Sequence, residues 1–344
     1  MPEWIVNNWY PKGGDIVITS PEGSCKTIFG TQLCVCHAAG MPFLGQATTQ
    51  GRVLIIDEET PEFSLDNWLQ RFALGAGVKN WRELPIERII KTGFRIGRRD
   101  ELERVMDIVK RFKPNLVRLE SVLAMLPEGR EAIEENDSRI GTELRRVTDA
   151  IRIYADMTLI SAHAKKPTLQ WSLSQLKQAE MPSIVRGHGS IIGIACDTGL
   201  VLKKISEPID ADLSTPLRFV VLTKARRCAN AFPDVYVELK EESYGKGWAR
   251  LERIEPIAIP PSELVCSLAN MFIENQDKEF TQRMIRERLA LRPSKEVWEA
   301  LNELCARGIA RNSSKSFTYQ LNPNLAEDDK YLIILKDIIA KREK

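Results

Sequence analysis

Residues 14–27 read GDIVITSPEGSCKT, and the fold follows from how this stretch is punctuated. Residues 14–20 form a short β-branched run bounded by turn formers, the pattern of a buried strand. Pro21, Glu22, Gly23 and Ser24 break it, and from Lys26 to about Ala39 the chain reads as a helix. A loop joining a strand to a helix N-terminus offers backbone N–H groups and the positive end of the helix dipole to an anion. A phosphate loop also needs a Lys that reaches the terminal phosphates and a Ser or Thr hydroxyl for Mg²⁺. Lys26 and Thr27 occupy those two places, so Ser20, Pro21, Glu22, Gly23, Ser24, Cys25, Lys26 and Thr27 form a candidate nucleotide-binding segment, with Thr27 as a metal ligand. The strict spacing G-x-x-x-x-G-K-[ST] fails twice, because Ser20 stands at the first Gly and Cys25 at the second. Glycine serves there for conformational freedom and close approach to phosphate, whereas Cys25 adds bulk and a thiol. The alternative is an ordinary strand–helix turn with a lone Lys.

Outward from this loop, strands and helices alternate. GRVLIIDEE (51–59) is an apolar strand ending in acids, and a helix is expected from Pro61 to about Leu74 with Phe63, Trp68, Leu69 and Phe72 on its apolar side. Residues 101–112 fit a helix with Leu102, Val105, Ile108 and Val109 on one face, which Pro114 stops. NLVRLES (115–121) is the next strand. Ile140, Leu144, Val147, Ile151 and Tyr154 recur at helical spacing over 138–154, and MTLISAH (157–163) is a further strand. Another lies near the end of 191–204, and another at LRFVVLTKAR (217–226). This alternation predicts an α/β fold with a mainly parallel sheet covered on both faces, the closely spaced later strands being antiparallel. Arg118 is out of place in a strand of that kind; it either pairs with a buried acid or faces a subunit contact.

The chain has 344 residues, 49 Lys plus Arg and 47 Asp plus Glu, for a net charge of +2. The length suits two domains, and the near-neutral balance excludes a basic coat for nucleic acid, leaving only local patches. Seven cysteines, of which only Cys34 and Cys36 lie close together, do not make a disulfide framework. Cys34, Cys36 and His37 sit in an apolar helical stretch and read as core rather than metal ligands. The N-terminus lacks the pattern of a signal peptide and no window resembles a membrane span, so a cytoplasmic setting without membrane contact is expected.

Composition shifts at EPIAIPPSE (255–263), where Pro256, Pro260 and Pro261 mark a linker. Helices are expected over 263–275, 281–290 and 294–307, followed by two short strands around a polar turn in 308–321. That is the layout of a small α+β winged helix over 262–322, with a charged helix or tail over 323–344. Residues 280–322 hold eight Lys or Arg against four Glu, a local charge of +4. A reading helix beginning near Ser294 and a wing at Asn312–Ser316 would bring Arg292, Lys295 and Lys315 to DNA; the same module also serves elsewhere as a protein contact.

Taken in order, PEGSCKT, GRVLIIDEETPEFSLDNWLQRF, NLVRLESVLAML, SAHAKKP, VRGHGSIIGIACDTGLVL and LTKARR resemble the RecA-superfamily ATPases of the hexameric replicative-helicase type. The likeness is strongest to the RepA-like plasmid and phage group, with kinship to the DnaB-like helicases, and covers roughly residues 4–230. It implies a RecA-like P-loop NTPase core over 1–255, joined by the linker at 256–261 to the C-terminal module. ATP and Mg²⁺ are the implied ligands. The resemblance makes Glu59, or else Glu58, the general base that polarises the attacking water. Glu120 takes the place of the acid that holds Mg²⁺ through water, where the family usually has Asp. EENDSR (134–139) matches an acidic patch, and His163 matches a γ-phosphate sensor. The polar region 164–190, with Lys165, Lys166, Lys177 and Trp171, matches loops that contact single-stranded DNA. Lys224 and Arg226 match an element acting on a neighbouring subunit's nucleotide, Arg186 being a competing choice. Asp197 matches a family acid, with a structural role expected.

Three functions remain in view. The first is a ring-forming, hexameric DNA helicase or translocase of a mobile element, working on single- or double-stranded DNA with replication or mobile-element partner proteins. The second is a nucleotide-binding ring with slow turnover that scaffolds DNA. The third is a winged-helix DNA-binding regulator with an ATPase-like oligomerisation domain.

Overall fold

The computed structural model describes residues 3–20, 25–127, 139–165, 173–185, 197–204, 217–225, 234–243 and 246–254. Beyond these it describes 268–269, 271–273, 279–281, 284–285, 300–302, 304–305, 310–312 and 318–321. The chain divides into two units, Met1–Ile257 and Ala258–Lys344.

The first unit opens with a small antiparallel pair, β1 (Trp4–Val6) and β2 (Tyr10–Pro11). Then follow β3 (Gly14–Ser20), α1 (Lys26–Ala39), β4 (Val53–Asp57), α2 (Glu62–Gly75), β5 (Ile86–Ile90), α3 (Arg99–Phe112), β6 (Leu116–Glu120), α4 (Arg139–Arg152) and β7 (Met157–His163). Two short helices, α5 (Leu173–Gln178) and α6 (Met181–Ile184), lead to β8 (Thr198–Lys204), β9 (Arg218–Ala225), β10 (Val235–Ser243) and β11 (Lys246–Ile254). The strands order as β11-β10-β9-β8-β3-β7-β6-β4-β5 in one sheet. From β5 to β8 every neighbour is parallel, and from β8 to β11 every neighbour is antiparallel. This is a RecA-like α/β core, with β7 lying between the strand that enters the loop and the strand that carries Glu120.

Because β3 has a neighbour on each side, all seven of its residues are buried. One face of the sheet packs Phe29 and Leu33 of α1 with Leu65, Leu69 and Phe72 of α2. The other packs Val105 and Val109 of α3 with Ile140, Leu144, Val147 and Ile151 of α4. Two covered faces account for the unbroken apolar runs of β3, β4 and β7. Asp197 has the structural place expected of it: its carboxylate accepts from the Asp15 N–H at 3.1 Å, joining the start of β8 to β3.

Two side chains depart from the helical faces predicted. Phe63 is 78% exposed, because Leu65, Leu69, Phe72 and Ala73 define the buried stripe of α2 and Phe63 falls on its far side. Tyr154 lies past the end of α4 and is 37% exposed. Within the nine-stranded sheet three strands are additional to those predicted, namely β5, β10 and β11, and β1, β2 and a strand at Phe280–Thr281 are additional outside it.

Cys34, Cys36 and His37 are buried on α1, and among the described residues no three such side chains converge as a metal site. Burial pushes both thiols up to about 12 and the His37 imidazole down to about 4. A histidine whose folded pKa lies below its unfolded value stabilises the fold above pH 6.5 and loses that contribution as pH falls toward 4. Asp15, raised to about 6 by burial against the pull of Arg152, acts in the opposite sense, its contribution being lost as pH rises through 6. We therefore expect wild type to lose about 2 kcal/mol more than His37→Gln between pH 7 and pH 5. Denaturant melts of both proteins at the two pH values measure this, and parallel losses would show that His37 is not the titrating group.

Among the described residues no helix is long and apolar enough to cross a membrane. In the second unit, β12 (Phe280–Thr281), β13 (Ala310–Asn312) and β14 (Thr318–Leu321) form an antiparallel sheet in the order β12-β14-β13. Leu268, Phe272, Phe280, Leu301, Leu304 and Tyr319 share its core. Most of the helices expected over 263–307, the wing tip Ser313–Ser316 and the tail 323–344 lie outside the described residues.

Candidate active site

Parallel strands end together, and the site is built where four of them end. Ser20 on β3 pairs in register with His163 on β7, and Asp57 on β4 pairs with Glu120 on β6. That edge is where open α/β sheets bind ligands. A cleft of about 690 Å³ opens there, lined by Cys25, Lys26, Thr27, Glu59, Glu120, Ser121 and His163, among others.

Lys26 is the first residue of α1 and nearly buried. Its Nζ donates to Ser20 Oγ at 3.2 Å and to the Ser20 carbonyl at 3.4 Å, which holds the ammonium at the mouth of the loop. Pro21–Ser24, the middle of the predicted phosphate segment, lie outside the described residues. Cys25 caps α1 with φ 70°, the left-handed region that costs a side-chain-bearing residue about 1–2 kcal/mol. This backbone shape is the one glycine would supply at the second Gly of the motif. Its side chain is nearly buried and joins the apolar cluster of Phe29 and Leu200. Burial pushes the thiol up to about 12 despite nearby Lys204 and Lys26, so it stays neutral and sets no thiolate against phosphate. Cys25→Gly should therefore raise nucleotide affinity several-fold, as measured by equilibrium binding of a fluorescent ATP analogue. A fall in affinity would mean that the packed thiol holds the loop in shape.

Thr27 Oγ1 donates to Glu120 Oε1 at 3.1 Å. Adjacent oxygen ligands of an octahedral Mg²⁺, each about 2.0–2.1 Å from the ion, lie about 3 Å apart. Both groups are hard oxygen donors, so the pair fits Mg²⁺ held directly or through water. Bound there, Mg²⁺ would neutralise charge on the phosphates of a nucleotide.

The two acids that follow β4 diverge. Asp57 Oδ1 accepts from the Glu59 N–H at 2.9 Å and the Thr60 N–H at 2.7 Å, bending the chain at the strand end. Glu59 then faces the cleft, with a carboxylate oxygen 3.5 Å from His163 Nε2. The hydrogen bond from His163 holds its carboxyl down at about 2, with Ser121 and Lys26 acting in the same direction and burial opposing. Glu58 turns away. Its carboxylate accepts from the N–H groups of Thr92, Gly93 and Phe94 at 3.0–3.1 Å, and lies 3.5 Å from Arg95. Glu58 is thus a buried anchor for the 92–95 loop, and this corrects its place as the alternative general base.

Arg118 is fully buried and pairs with Glu120 on its own strand, the first of the two readings its position allowed. Ser121 and Ser161 also belong to the site and went unread. Ser161 lies two residues before His163 on β7 and donates to Glu120 Oε2. A small polar residue two positions from a site residue in an apolar strand shares its face, and that was the available signal.

The cations fall elsewhere. Lys224 pairs with Gly199, which pairs with Val17, so it lies about 10 Å short of Ser20 along the strand direction. Its Nζ donates to the Lys177 carbonyl, and Lys177 Nζ pairs with Asp234 at 2.7 Å. Lys177 is therefore tied to the β9–β10 side rather than standing as a free phosphate contact, a correction to the reading of 164–190. Lys165 directly follows the bridge between Ala164 and Val185, and its N–H donates to Ile184. Lys166, Arg186, Arg226, Arg292, Lys295 and Lys315 lie outside the described residues, as does most of the acidic patch 134–139.

Fold and site together have the layout of a RecA-like nucleotide-binding core: a Lys and a Thr at a helix start beside acids at the ends of parallel strands. Residues 1–168 match the family model of an AAA domain, AAA_25. No curated protein matches the chain by sequence. Among solved structures, the KaiC-like protein PH0186 from the hyperthermophilic archaeon Pyrococcus horikoshii OT3 is similar at 14% identity and a TM-score of 0.47, over 73% of this chain and 94% of that one.

Proposed function

We propose that the chain is a Mg²⁺-dependent ATPase that assembles as a ring, most simply a hexamer, and couples hydrolysis to movement on DNA in the manner of a helicase or translocase. One observation carries the catalytic half of this reading: Lys26, Thr27, Glu59, Glu120 and His163, far apart in sequence, share one cleft. Lys26 and the start of α1 bind phosphate, Thr27 and Glu120 hold Mg²⁺, Glu59 orients the attacking water, and His163 links Glu59 to the end of β7 beside the loop strand. The ring and the DNA are supported by the ordered series of helicase-like segments. They are supported also by Lys224, whose position away from its own cleft suits action on a neighbour's nucleotide. Replication of a mobile element is the setting that the resemblance favours.

Phosphate release by the purified chain, with and without single-stranded DNA, tests this together with its mass in solution in the presence of ATP. DNA-stimulated turnover by a hexamer is the expected result. Nucleotide binding without turnover would favour the scaffold reading instead, and tight binding to one DNA sequence by a dimer would favour the regulator.

A further inference from the structure

The two oxygens of Glu120 are used differently. Oε1 faces the cleft and accepts from Thr27. Oε2 faces inward, accepting from Arg118 Nη2 at 2.6 Å, from Arg118 Nε at 3.2 Å and from Ser161 Oγ. The guanidinium is itself fixed, since Nη1 donates to Thr31 Oγ1 at 2.8 Å and Thr31 Oγ1 donates to the Thr27 carbonyl at 2.6 Å. Gly30 completes the cradle: a Cβ at that position would meet Arg118 Nε at 3.0 Å. A buried ion pair is seldom more stabilising than apolar residues of the same size. Stability alone therefore does not explain a fully buried arginine in this strand, whereas orientation of a longer, more rotatable carboxylate does.

We propose that Arg118 is a positioning residue of the metal site: anchored on Thr31 and seated over Gly30, it draws Oε2 of Glu120 inward so that Oε1 alone is presented beside Thr27. The proposal rests on the reading of this cleft as a Mg²⁺–nucleotide site. Ligand-orienting partners of this kind typically contribute 10–100-fold to metal affinity.

The test uses the full chain and two variants. Arg118→Lys keeps the charge but cannot fork onto one oxygen while reaching Thr31. Gly30→Ala keeps every partner but crowds Nε. Mn²⁺ binding to the protein–nucleotide complex is followed by loss of the free-ion electron paramagnetic resonance signal, and binding of a fluorescent ATP analogue is measured in EDTA. Arg118→Lys should weaken Mn²⁺ about tenfold while nucleotide still binds in EDTA, with Gly30→Ala shifting Mn²⁺ in the same direction. Unchanged Mn²⁺ affinity in the variants overturns the proposal, as does an equal loss of metal-free nucleotide binding, which marks a merely structural role. Should Arg118→Lys fail to fold, Gly30→Ala decides alone by the same two measurements. If wild type itself binds no nucleotide, the reading of the cleft fails, a result distinct from failure of the role of Arg118.

Discussion

Lys26→Ala should reduce ATP turnover by at least about 100-fold, the scale on which a single donor to developing phosphate charge contributes to catalysis. The reason lies in where the ammonium sits. It is nearly buried, at the first turn of α1, and its Nζ donates to Ser20 at the end of β3. A cation in a low-dielectric pocket acts strongly on an incoming anion. Removing it leaves the loop without its charge and the helix dipole acting alone. Nucleotide affinity should fall with turnover, because the contact is made to bound nucleotide as well as to the transition state. Unaltered turnover in this variant would mean that the chemistry occurs elsewhere.

Glu59→Gln should behave differently, losing about 10²–10⁴-fold in turnover while nucleotide binding survives. Glu59 lines the cleft, and its carboxylate lies 3.5 Å from His163 Nε2. Held at about 2, its carboxylate is ionised throughout the neutral range. A base so weak orients and polarises water more than it captures a proton, so titration of Glu59 sets no acid limb in the pH–rate profile near neutrality. The sign of its stability effect follows: a depressed carboxyl stabilises the fold above pH 4.5, and the contribution is lost as pH falls toward 2. Glu58→Gln is the matched control, because that carboxylate binds the 92–95 loop. It should lower the melting temperature and spare the chemistry. Equal turnover in Glu59→Gln and wild type would remove Glu59 from the mechanism.

The parts of the fold legible in the chain are those buried on both faces. β3, β4 and β7 are apolar runs because helices cover each side of the sheet, and α3 and α4 show their spacing because only one face of each is buried. The strands of the nine-stranded sheet that went unread carry charge. Glu87 and Arg88 interrupt β5 at one sheet edge, and Lys240, Glu241, Arg250 and Glu252 decorate β10 and β11 at the other. β5 and β11 are edge strands and β10 lies next to one, and a wet side leaves no apolar run to mark them. At the site, Lys26 and Thr27 follow from strand–loop–helix order, and Glu120 from the family resemblance. The choice between Glu58 and Glu59 does not, since it depends on the bend that Asp57 imposes through its two accepted N–H groups. The partner of Arg118 was open for a like reason: spacing put it on the same face as Glu120, but only the cradle of Thr31 and Gly30 fixes where the guanidinium points.

The most direct test of the account is release of inorganic phosphate from ATP by the purified full chain, with and without Mg²⁺, for wild type beside Glu59→Gln. The account predicts Mg²⁺-dependent turnover in wild type and its loss in the variant, with nucleotide still bound by both. Turnover at background in wild type, or equal turnover in the two proteins, would contradict it.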